Sequence, residues 1–150
     1  MSRRIAVSVA AGAALLVGAG AYALAYAGDQ PPALTHSTAH YTAPTGDSAG
    51  SLTFTTDVTA SSGVKSVKVL AWPKHSSLAH KKLTAKDMTA AETATCKPAA
   101  KHTLHCAYTT TVTPTDAAKS PRGAWHIAVL AEAKNGTTTL DDKAADFTVR

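Results

Sequence analysis

From Gly123 to Val149 the chain alternates: Trp125, Ile127, Val129, Ala131 and Ala133 interleave with His126, Ala128, Leu130, Glu132 and Lys134. That two-residue period marks a strand with one face against a core. Asn135-Gly136 comes next, and a pair of residues that both accept positive φ predicts a type I′ reversal. Thr137 to Leu140 starts the return, Asp141 to Lys143 reads as a kink, and Ala145, Phe147 and Val149 resume the alternation. Such a hairpin needs further strands to cover it, because two strands alone are marginal in water.

The opposite end of the chain has a different chemistry. Met1-Ser2-Arg3-Arg4 is cationic, and Ile5 to Gly28 carries no charge. Small residues at Ala23, Ala25 and Ala27 supply a cleavage site, so residues 1–27 read as a signal peptide cut after Ala27. The alternative is an uncleaved anchor, since the apolar run approaches the roughly 20 residues that span a bilayer. Residues 28–35, with Pro31-Pro32, read as a short tether, and 36–150 as one domain. Without Arg3 and Arg4 the formal charge falls from +5 to +3. The expected location is secreted or extracellular, with a membrane-anchored chain facing outside as the alternative.

The remaining strands follow from local alternation and its interruptions. Leu34 to Ala43 reads as an edge strand anchored by Tyr41, with Pro44-Thr45-Gly46-Asp47 as its turn. In Ser51 to Thr59 the residues Leu52, Phe54, Thr56 and Val58 share a face. Val64 to Trp72 turns Val67, Val69 and Ala71 one way and Trp72 the other, and Pro73 ends it because proline cannot donate to a ladder. Glu92 to Lys97 pairs with Leu104 to Thr113. Two cysteines in an exported chain pair with each other, so Cys96 and Cys106 are expected to form a disulfide. Opposing them also sets Ala94 against Tyr108 and Glu92 against Thr110. A loop this short contributes about 2 to 3 kcal/mol in the chain-entropy treatment. Thr113 to Arg122 reads as a turn-rich link, giving about seven antiparallel strands and a sandwich.

Two segments resemble bacterial Ig-like domains of surface and secreted proteins: Asp57 to Val69, D-V-T-A-S-S-G-V-K-S-V-K-V, and Gly123 to Thr137, G-A-W-H-I-A-V-L-A-E-A-K-N-G-T. After the signal, the chain is also similar to a family of small, exported, single-domain actinobacterial proteins of unknown function. The residues that carry this are Tyr41-Thr42-Ala43-Pro44, Gly50-Ser51-Leu52-Thr53-Phe54, Val69-Leu70-Ala71-Trp72-Pro73 and the Cys96, Cys106 pair. The resemblance implies an all-β, antiparallel Ig-like β-sandwich of about seven strands, preceded by an N-terminal signal helix. It brings no catalytic or binding residues.

Chemistry-bearing patterns are sparse. His36-x-x-x-His40 would place its rings about 13 Å apart on a strand, too far to share a metal, and His102-x-x-His105 lacks two further ligands. No G-x-S-x-G elbow occurs, and Asp141 and Asp142 point to opposite faces of a strand. No enzyme activity, cofactor or metal is therefore expected, and the scattered lysines do not form a nucleic-acid stripe. Trp125 alternates with the core residues and is expected to be buried. The candidate binding loop runs from Pro73 to Ala90, too long for an ordinary connection, with Trp72, Lys74, His75, His80, Lys81, Lys82 and Lys86 as its candidate contacts. Thr84 to Asp87 is expected to cap an irregular helical turn there, packing Met88 onto the sheet.

The expected function is an exported, non-enzymatic binding or interaction domain, monomeric, for an unknown protein or an anionic envelope polymer. A secreted enzyme inhibitor, an enzyme without a recognisable active site, and a structural domain held by an uncleaved anchor are the alternatives.

Overall fold

The computed structural model describes residues 30–150; the expected signal peptide and the start of the tether lie outside them. Eight strands form two four-stranded antiparallel sheets. The first sheet has the order β1 (Ala33–Thr42), β2 (Gly50–Thr59), β6 (Thr103–Val112), β5 (Thr95–Ala100). The second has the order β4 (Glu92–Thr93), β3 (Val64–Pro73), β7 (Gly123–Ala133), β8 (Thr138–Val149). Leu52, Phe54, Val58 and Cys106 from the first sheet meet Val67, Val69, Ile127, Val129 and Ala131 from the second in one core. The fold is therefore an all-β sandwich, and no helix among the described residues is long and apolar enough to cross a membrane.

Alternation set the faces of these strands correctly. Leu52, Phe54, Thr56 and Val58 are all buried along β2. Thr56 is the polar member of this set, and its hydroxyl donates to the Thr35 carbonyl and bonds Ser37. Its partners arise from a bulge in β1, where the pairing shifts between Thr35 and Thr38 and His36 takes a φ of 53°. The extra residue breaks the ladder locally, and the Thr56 hydroxyl satisfies the carbonyl left behind.

Three expectations need correction. The predicted strand 92–97 is two strands in different sheets. Cys96 does oppose Cys106, and the disulfide forms with a Cα separation of 4.0 Å. Upstream of it, however, Glu92 pairs with Val69 and Thr93 with Lys68, so Glu92 does not meet Thr110. The chain passes between sheets at Ala94, which is buried in the core and donates its N–H to the Val67 carbonyl at 2.8 Å. A one-carbon side chain allows that passage, and the strand count rises to eight. Second, the link 113–122 contains a helix, α1 (Pro114–Lys119). Thr113 and Asp116 form a reciprocal capping box, and Pro114 occupies the first turn, where its missing N–H is no loss.

Third, the β7–β8 reversal is not type I′. Gly136 donates to the Ala133 carbonyl at 3.0 Å and has a φ of 86°, while Asn135 does not take positive φ. The loop thus has three residues with glycine at the left-handed position, and Asn135 Oδ1 accepts from the N–H and hydroxyl of Thr137. The kink at Asp141 to Lys143 is present as a shift in pairing between Ile127 and Val129.

The chain enters beside this reversal, where the Thr137 and Thr139 hydroxyls donate to the carbonyls of Gln30 and Pro32. The 43–49 turn, the 74–91 loop, α1 and the end of β8 gather at the opposite end, because β3 runs from Val64 beside Ala133 to Pro73 beside Trp125.

Candidate functional site

The outer face of the second sheet is unusually apolar for a solvent side: Leu70 and Trp72 on β3, Ala128 and Leu130 on β7, and Leu140 on β8. Residues 74–91 cover it as a third layer. Leu83 and Met88 of that loop pack on Trp72 and Ala128 in a second core, with Leu78 and Ala91 at its margin. Trp72 is only 3% exposed, so it is a packed residue under its loop and not an exposed anchor. Its ring N–H donates to the Asp142 carbonyl at 3.1 Å.

Several polar contacts hold this layer. A 3₁₀ turn covers Ser77–His80, followed by successive turns across 85–90. Asp87 Oδ2 accepts from the N–H and hydroxyl of Thr84 at 2.9 and 2.8 Å, as the sequence suggested, and Oδ1 pairs with Lys81 at 2.6 Å. The Lys81 and Thr84 bonds hold the Asp87 carboxyl down at a pKa of about 2. Lys68 adds a bond to the Thr89 carbonyl at 3.1 Å.

Between this layer and β8 lies a recess of about 230 Å³. Trp72 and His126 line it together with Lys74, Lys81, Lys143 and Asp142. The imidazole of His126 packs on Trp72 with 4.7 Å between ring centres, and its Nδ1 pairs with Asp146. Of the loop residues singled out in the sequence, Lys74 and Lys81 meet here with Trp72. His75, His80, Lys82 and Lys86 are exposed and do not line the recess. Lys143 and His126 were missed because they come from β8 and β7, far away in sequence.

A second recess, of about 250 Å³, opens between the sheets at the same end of the molecule. Tyr41, Phe147 and Trp125 form one wall: Tyr41 stacks on Phe147 at 5.9 Å, and Phe147 meets Trp125 at 5.8 Å. Leu52 and Val149 line it from the core side, and Asp116 of α1 lines it as well. Trp125 is half-buried here, with its ring N–H donating to the Pro121 carbonyl at 2.9 Å. The alternation gave its face correctly but not its depth, since Trp125 stands near the start of β7, where the sandwich opens. The hydrogen bonds from Thr113 hold the Asp116 carboxyl below its ordinary pKa.

On the outer face of the first sheet, His105 and His36 both reach Asp57, at 2.7 and 3.1 Å. Among the described residues no group of three His, Cys, Asp or Glu side chains is placed to hold a metal ion. Lys65 pairs with Glu132 at 2.9 Å, and this bond lowers the Glu132 pKa.

Fold and site together define a small disulfide-stapled β-sandwich domain with two recesses at one end. The chain belongs to the family of unknown function DUF5707, whose model matches residues 34–131, from β1 through most of β7. No curated protein and no solved structure matches it.

Proposed function

We propose that this chain is an exported, non-enzymatic Ig-like binding domain that holds an anionic component of the cell envelope at the lysine-rimmed recess. The observation that carries this reading is the convergence of Lys74, Lys81 and Lys143 on one 230 Å³ recess. Lys81 already pairs with Asp87, whereas no carboxylate among the described residues forms an ion pair with Lys74 or Lys143. Those two ammonium groups are the natural partners of a phosphate or carboxylate, and ionic strength should weaken the attachment. The Ig-like assignment is supported by strand order. β1-β2-β6-β5 facing β3-β7-β8 follows the A-B-E-D and C-F-G arrangement of that fold, with β4 as an added edge.

The test is co-sedimentation of purified, oxidised protein with envelopes of its own source at low and high salt. Lys74→Glu with Lys143→Glu should abolish retention, while Lys82→Glu with Lys86→Glu, an equal change in net charge outside the recess, should reduce it only slightly. Equal loss in both pairs would replace the recess by a diffuse charge effect. Salt-resistant retention with one co-purifying protein would replace the polymer by a protein partner.

A further inference from the structure

The aromatic recess is independent of the lysine-rimmed one, and its chemistry points to a ligand of opposite charge. We propose that it binds a small quaternary ammonium compound of the choline type. Three aromatic side chains, Tyr41, Phe147 and Trp125, stand in series along one wall. The faces of such rings carry negative potential and attract a weakly hydrated cation. The other contributors are mainly apolar, and Asp116 is the charged residue among the lining side chains.

Asp116 is already fixed in place. Its Oδ2 accepts the N–H and the hydroxyl of Thr113 at 3.1 and 2.6 Å, bonds that favour the carboxylate form, while Oδ1 keeps its accepting capacity. An anionic ligand would meet this carboxylate in a recess that has no cationic side chain in its lining. A primary ammonium would give up strong hydration to enter an apolar recess, whereas a quaternary one gives up less.

The volume of about 250 Å³ lies below the 300–1,000 Å³ common for drug-sized ligands, so the ligand is small.

The discriminating experiment compares choline with 3,3-dimethylbutan-1-ol, its uncharged isostere of nearly the same shape. Titration calorimetry and Trp fluorescence of the purified protein should show choline binding roughly tenfold more tightly than the isostere. Asp116→Asn, which keeps an oxygen to accept from Thr113, should remove most of that preference without lowering the melting temperature by more than a few degrees. Trp125→Leu should weaken choline more than the isostere. Equal binding of the two compounds by the parent protein would overturn the proposal in favour of plain apolar filling, and binding of neither would overturn it outright. The comparison of the two ligands needs no variant, so it stands even if a substitution impairs folding.

Discussion

Gly50, at the start of β2, leaves no room for a side chain. A Cβ there would lie 2.0 Å from the Thr42 carbonyl oxygen and 2.7 Å from the backbone of Ala43 and Pro44. These are backbone atoms, so no side chain can swing aside. Gly50→Ala should cost about 3 kcal/mol or more, seen as a lower urea midpoint with an unchanged slope. Asp57 offers a subtler test. Its pKa is lowered chiefly by the hydrogen bond from His105, against a smaller opposing effect of burial, with His36 adding to the lowering. A carboxyl with a depressed folded-state pKa stabilises above its unfolded value near 4, and that contribution is lost as the pH falls through the folded value. Urea midpoints between pH 6 and 2 should therefore fall less steeply for Asp57→Asn than for the parent protein. Parallel curves would remove Asp57 from the acid response. The alternation of β2 made Thr56 legible as an inward residue; its bonding was not, because the Thr35 carbonyl to which its hydroxyl donates is freed only by the bulge at His36.

At the scale of elements, the 74–91 layer is held by a small apolar cluster and a few polar contacts. Met88 is fully buried beneath it. Met88→Ala removes buried volume, for which losses of about 2 to 5 kcal/mol are usual, but here the weak element should open before the sandwich does. Amide exchange across residues 77–91 should accelerate strongly while β2 and β6 keep their protection; uniform acceleration would show that the layer belongs to the global unit. The same layer should loosen in acid. The Asp87 pKa is about 2, below its ordinary value near 4, so its bonds to Lys81 and Thr84 are complete above pH 4 and fade as the pH approaches 2. In a Trp125→Phe background, Trp72 emission should shift to the red over that window, and an unchanged spectrum would contradict the assignment. The Thr84 to Asp87 cap was readable because its partners are three residues apart. The division at Ala94 was not, because it depends on β3 drawing Glu92 and Thr93 into the other sheet. The start of α1 was written locally as Thr113-Pro114-Thr115-Asp116, yet two prolines in the same link obscured it.

For the whole molecule, the disulfide is a supplement to a continuous core and not its organiser. Cys96 and Cys106 stand ten residues apart, so Cys96→Ala with Cys106→Ala should lower stability by about 2 to 3 kcal/mol and leave a cooperative, folded domain. Complete unfolding of that variant at 25 °C would contradict the view that the two sheets suffice. The two-layer plan was legible because faces are set by parity, residue by residue. The two recesses were not, since each draws on strands far apart in sequence: Lys143 and Lys74 for one, Tyr41 and Phe147 for the other. The position of the chain ends has a practical side. Whatever precedes Gln30 departs beside the β7–β8 reversal, about 30 Å from the opposite end given strands of this length. Anything appended after Arg150 instead emerges next to Val149, itself in the wall of the aromatic recess. The termini are thus unequal handles: immobilised on a sensor chip through its N-terminus, the domain presents both recesses to solution, whereas a tag at the C-terminus competes with the ligand for the aromatic one.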